Sequence, residues 1–139
     1  MNDTTSTREA TTAERALVAF DPGKNVGVAY VSGSGELLRS LVTSLAEVSN
    51  LEVPSGATVL VGSGTARRSL MQALQQRGLE PRLVDERSTT LEARALYFRD
   101  NPPRGLAKLI PRGMLYPPRD IDDYAAYAIA LRWLANESG

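Results

Sequence analysis

Apolar positions in this chain come first in short β-type runs and only later at helical spacing. Leu17-Val18-Ala19-Phe20 is one such run, Val26 to Val31 is a second, and Glu36 to Thr43 (ELLRSLVT) is a third. Between the first two lie Asp21, Pro22, Gly23 and Asn25. Proline fixes φ while glycine and asparagine tolerate positive φ, so the two runs read as a hairpin. A Ser32-Gly33-Ser34-Gly35 turn then leads into a third strand of the same meander. Gly27 sits inside the second strand, where a missing side chain predicts a bulge or a close approach by another backbone. After a short helix over Leu45 to Leu51, Ala57 to Val61 is a continuous apolar, β-branched run of the kind found in a central parallel strand buried on both faces.

The helical pattern starts at Gly62-Ser63-Gly64-Thr65, a small-residue turn with Thr65 as N-cap, followed by a Leu70, Ala73 and Leu74 stripe and a Gly78 C-cap signal. A strand-to-helix turn of this kind is a common phosphate-binding device, although it lacks the lysine and spacing of a P-loop. Glu80 to Val84 reads as a further strand, ending at Asp85-Glu86-Arg87. Thr89-Thr90-Leu91-Glu92 fits a capping box, and Leu91, Ala95, Leu96 and Phe98 form the apolar stripe of the helix behind it. Residues 100–119 hold five prolines and two glycines and no stable period, which predicts a long loop. Ile121 to Ala135 is apolar on more than one face, a helix packed into the core, and Asp120-Ile121-Asp122-Asp123 opens it. Residues 1–14 are polar and threonine-rich and predict a frayed tail. The remainder, 15–139, predicts one α/β domain: a mixed sheet, an antiparallel meander followed by parallel strands, flanked by helices.

Composition narrows the chemistry. The 139 residues include no cysteine and no histidine, which excludes disulfides, thiolate or imidazole zinc sites, and every Ser-His or Cys-His catalytic arrangement. Any metal must be held by oxygen, so Mg²⁺, Mn²⁺ and Ca²⁺ are the candidates. With no run of about 18 apolar residues and no basic start before an apolar core, neither a membrane span nor a signal peptide is expected, and the chain reads as cytoplasmic. Net charge is zero, but residues 67–119 carry eleven Lys/Arg against five Asp/Glu, and ten of the eleven are arginine. Arginine suits bidentate phosphate contacts, although the same excess fits a solvated surface. Lys24, Arg67, Arg87, Arg94, Arg104, Lys108, Arg112 and Arg119 are the candidate nucleic-acid contacts.

The acidic residues share a placement. Asp21 ends the first strand, Asp85-Glu86 end a later parallel strand, and Asp122 opens the core helix. Carboxylates brought together in this way raise one another's pKa unless a cation neutralises them. One or two divalent ions there would activate water for in-line attack on phosphorus without any histidine.

At these residues the chain resembles a known group. FDPGKNVGVAYV is similar to the first motif of the RuvC-type Holliday junction resolvases. VDERSTTLEA resembles the D-E-R-x-T-T-x-E-A motif of the YqgF (RuvX) family of resolvases and pre-ribosomal-RNA nucleases, and DDYAAYAIAL matches the third motif of both. Pro22 is RuvC-like, and Gly62-Ser63-Gly64 stands where YqgF proteins have Gly-Leu-Pro. The resemblance spans Leu17 to Leu134 and implies an RNase H-like fold with catalytic, metal-binding acids at Asp21, Glu86 and Asp122. Asp123 is the neighbour and alternative ligand. It further implies Mg²⁺ or Mn²⁺, a branched DNA or structured RNA substrate, and a homodimer where symmetric incision is needed. Two rival readings are a phosphotransferase or ATPase of the actin and sugar-kinase type, and an inactive nucleic-acid-binding module. The first is set against a chain of one domain's length, the second against carboxylates present at all three motif positions.

Overall fold

The computed structural model describes residues 16–85, 89–111 and 114–138. The meander is present as β1 (Leu17–Pro22), β2 (Val26–Val31) and β3 (Leu37–Thr43), paired antiparallel in sequence. β4 (Thr58–Gly62) returns parallel to β1, and β5 (Arg82–Val84) lies parallel to β4. The result is a five-stranded mixed sheet of order β3-β2-β1-β4-β5 in an α/β fold. Because β1, β4 and β5 run the same way, their carboxyl ends share one edge of the sheet, the usual place for a ligand crevice in open α/β sheets.

Side-chain alternation along β1 divides the core in two. Leu17 and Ala19 point to one face with Ala29, Val31 and Leu60, against helices α2 (Thr89–Asp100) and α3 (Asp122–Ser138). Val18 and Phe20 point to the other with Val26, Val28, Val59 and Val61, against α1 (Arg67–Gln76), whose Leu70 and Leu74 are fully buried. β1 and β2 are therefore apolar on both faces, which their unbroken hydrophobic runs require. Burying each such side chain contributes about 1.5–3 kcal/mol relative to leaving it in water. Tyr127 on α3 ties the helix to the β2–β3 turn: its hydroxyl donates to the Gly35 carbonyl at 2.6 Å and accepts from Arg99 at 3.1 Å.

Several local expectations are corrected. Helix α1 has Ala66, not Thr65, at its N-cap, with no side-chain cap bond. Instead the Arg67 N–H is taken up by the Gly64 carbonyl at 3.2 Å. Its C-terminus follows expectation: Gly78 has φ of 84° and donates to the Gln75 carbonyl, while Leu79 donates to that of Leu74. The short helix expected over Leu45 to Leu51 is present as a 3-10 helix, Leu45–Asn50. β5 is three residues long because Pro81 has no N–H for the ladder. On α2 the buried residues are Ala93 and Tyr97, and Leu96 and Phe98 of the expected stripe pack partly buried against the same core, whereas Leu91 is 64% exposed and Ala95 also faces solvent. The helix carries apolar residues on two faces, and the edge-to-face contact of Tyr97 with Tyr124 of α3, centroids 5.5 Å apart, decides which one turns inward. The loop 100–119 contains a 3-10 turn, Gly105–Leu109. The tail at 1–14 and the side chains of Thr89 and Thr90 in the capping box lie outside the described residues. No helix among the described residues is long and apolar enough to cross a membrane.

Candidate functional site

Asp21 is the penultimate residue of β1, on the α3 side by its alternation with Leu17 and Ala19, and it is half-buried. Directly across the ladder it pairs with Gly27 of β2. A Cβ at Gly27 would collide with the Asp122 carbonyl group and come within 2.9 Å of the Asp123 nitrogen. The absent side chain is what lets the start of α3 rest on the sheet, and it rests on the residue paired with Asp21. The start of α3, about a hundred residues on, is thus seated by backbone contact on the strand position that pairs with Asp21. The first turn of α3 is closed by Tyr124 and Ala125, which donate to the Ile121 carbonyl at 2.9 and 3.0 Å.

The two adjacent acids at this helix start differ in environment. Asp123 is buried and fully engaged: Ser40 of β3 donates to it at 2.9 Å, Arg119 at 3.1 and 3.3 Å, and the Tyr124 N–H at 3.0 Å. Arg119, held above its usual pKa by that hydrogen bond, also lies over the rings of Tyr97 and Tyr124. Asp122 is only half-buried, and its carboxyl is raised above the usual range, first by burial and then by the negative charges of Asp120 and Asp123. Asp123 therefore holds the helix start, and Asp122 is the acid with capacity for a cation. Ser40 and Arg119 were invisible as a lock in the sequence; Ser40 lies 83 residues away from Asp123, beyond any local spacing signal.

The Gly62-Ser63-Gly64 turn joins the same edge. A Cβ at Gly64 would collide with the Pro22 carbonyl oxygen, so this glycine packs the β4–α1 connection against the residue after Asp21. An open groove beside it is lined by Ser63, Gly64, Thr65, Arg67 and Arg68. Arg68 was not among the candidates named from sequence; it adjoins one of them.

The candidate cations fall into groups. Lys24, Arg67, Arg104 and Lys108 have exposed side chains. Arg94 is occupied structurally, donating to the Leu115 carbonyl at 3.0 Å with its guanidinium 4.6 Å from the Tyr116 ring centroid, and Arg119 is occupied by Asp123. Glu86, Arg87 and Arg112 lie outside the described residues. Among the described residues no three acidic side chains converge as a metal-holding group. The Asp122 backbone rests on Gly27, the ladder partner of Asp21, and the Asp122 carboxyl, raised by burial and neighbouring acids, is a hard oxygen donor of the kind a divalent cation takes. Comparison with protein-family models and with curated proteins returns no match for this chain.

Proposed function

We propose that this protein is a divalent-metal-dependent endonuclease with an RNase H-like fold, akin to the RuvC and YqgF groups, acting on branched DNA or structured RNA. The observation that carries this reading is the seating of the Asp122 backbone on Gly27, the ladder partner of Asp21, at the carboxyl edge of the sheet. The strand order β3-β2-β1-β4-β5, with β2 alone running opposite to the other four strands, supports the fold assignment. Asp21 and Asp122 would hold Mg²⁺ or Mn²⁺, with Glu86 completing the set as the motif resemblance implies. Bound there, the cation supplies the charge that generates a hydroxide nucleophile and stabilises the leaving oxygen.

The chain's own residues do the rest. The rigid strand end and the locked helix start fix the angle between the two carboxylates, so that little reorganisation is needed when a phosphodiester enters. Asp123, clamped by Ser40 and Arg119, keeps the first turn of α3 from rotating. Arg67 and Arg68 line the groove next to Pro22, one phosphate-binding stretch beside the carboxylates, and Arg104 and Lys108 provide a second. Such contacts follow backbone shape and charge rather than base identity, so sequence preference is weak. An enzyme of this kind works in the cytoplasm, and symmetric incision of a junction would take two copies of the chain.

The test is a cleavage panel with labelled four-way junction, linear duplex, single-stranded DNA and structured RNA, in Mg²⁺, in Mn²⁺ and in chelator. Metal-dependent incision of junction or structured RNA, lost in Asp21→Asn, is the expected result. Absence of cleavage of every substrate in either metal overturns the assignment, and cleavage unaffected by Asp21→Asn overturns the site.

A further inference from the structure

Residues 101–119 hold four Lys/Arg and no Asp/Glu. This segment is fastened at both ends. At its start the Tyr124 hydroxyl donates to Asp100 at 3.0 Å, and at its end Arg119 is paired with Asp123. Leu115 is buried and the Arg94 guanidinium donates to its carbonyl, so the returning strand of the loop is pinned to α2. Between these anchors stands the 3-10 turn Gly105–Leu109, which buries none of its residues. In a 3-10 helix side chains three apart eclipse, so Leu106 and Leu109 share one face. They are 83% and 80% exposed.

A single exposed leucine is ordinary, but two aligned on one turn are an apolar ridge that none of the described residues covers. Arg104 and Lys108 flank the ridge with exposed side chains, and a segment that holds basic residues and no acidic ones complements a polyanion. The pairing of Arg119 with Asp123 ties the end of this segment to the residue that follows Asp122. We propose that the Leu106–Leu109 ridge is a wedge that inserts between bases at a branch point or other interruption of stacking, while Arg104 and Lys108 hold the flanking phosphates. This inference rests on the nucleic-acid reading of the carboxylate site and names the feature that directs it. Apolar side chains used this way separate a base step and are offset by the contacts that a bent or opened strand then makes.

The experiment uses the full chain with Asp21→Asn to keep substrates intact, comparing it with the same chain also carrying Leu106→Ala and Leu109→Ala. Binding is measured to a four-way junction with 2-aminopurine at the branch, to linear duplex, and to anionic phospholipid vesicles. The expected result is a fluorescence rise at the branch on binding that is lost in the leucine variant, with the junction-over-duplex preference falling by about tenfold. Arg104→Ala should weaken junction and duplex alike. Junction binding with an unchanged fluorescence rise and preference in the leucine variant overturns the wedge and leaves the nuclease reading standing. Failure of the parent chain to bind any nucleic acid overturns both. Vesicle binding abolished by the leucine substitutions, with junction binding unaltered, overturns the wedge in favour of a membrane-surface loop.

Discussion

A methyl group at position 27 would have to share space with the carbonyl of Asp122 and the nitrogen of Asp123. Backbone on both sides leaves no flexible side chain to give way, so Gly27→Ala is expected to cost about 1–3 kcal/mol in denaturant unfolding as α3 lifts from β2. Cleavage should fall further than that loss of stability accounts for, because the lifted helix carries Asp122 away from Asp21; a Gly27→Ala chain with unchanged stability would contradict the contact. A second residue-scale expectation concerns Tyr30, whose hydroxyl donates to the Glu52 carbonyl at 2.7 Å. Burial, ahead of the nearby Glu52 charge, raises its pKa above the ordinary tyrosine value. The folded state thus retains a proton that the unfolded chain releases near pH 10, so this contribution is intact below about pH 10 and lost as pH rises further. Thermal melts between neutral pH and pH 11 should show a steeper alkaline decline for the native chain than for Tyr30→Phe. Gly27 was legible in the sequence as a close backbone approach, because glycine weakens a β-prone run and is kept there where a side chain would not fit. What it approached was not legible, since Asp122 is far along the chain.

At the scale of elements, the start of α3 sets two neighbouring acids against each other. Asp123 receives hydrogen bonds from Ser40, Arg119 and the Tyr124 N–H, so Asp123→Ala leaves buried donors unmatched and should lower stability by about 1–3 kcal/mol. Asp122 carries the opposite sign. Its carboxyl is raised by burial and by Asp120 and Asp123, so its ionised form opposes folding above the raised pKa, and the penalty disappears only as pH falls below it. Asp122→Asn should therefore raise the melting temperature at neutral pH in chelator while Asp123→Ala lowers it, measured side by side by calorimetry. Equal shifts of the same sign would contradict the division of roles. The strands were legible because period-two and unbroken apolar runs have one reading each, as in β1, β2 and β4. The inward face of α2 was not, because Leu91 and Ala95 offered as good a stripe as Ala93 and Tyr97 until the aromatic contact with Tyr124 chose between them. Thr65 had the right chemistry for a cap, yet the close packing of Gly64 on Pro22 moves the helix start one residue on.

For the molecule as a whole, the sheet edge where β1, β4 and β5 end carries Asp21 and the arginine-lined groove, with the start of α3 seated on Gly27 beside Asp21. Asp21 and Asp122 were legible singly, as the end of a strand and the start of a helix that must be buried, while Glu86 lies outside the described residues. The fate of the arginines was not, since charge count alone cannot tell Arg94 and Arg119, which brace the loop, from Arg67 and Arg104, which face solvent. The central claim is that Asp21 and Asp122 together hold a divalent cation, and its most direct test is a calorimetric Mn²⁺ titration of the native chain, Asp21→Asn and Asp122→Asn. The expected result is saturable binding by the native chain and a loss of more than about tenfold in affinity, some 1.4 kcal/mol, in each variant. Native-like Mn²⁺ affinity in both variants, or no binding by the native chain, would contradict it.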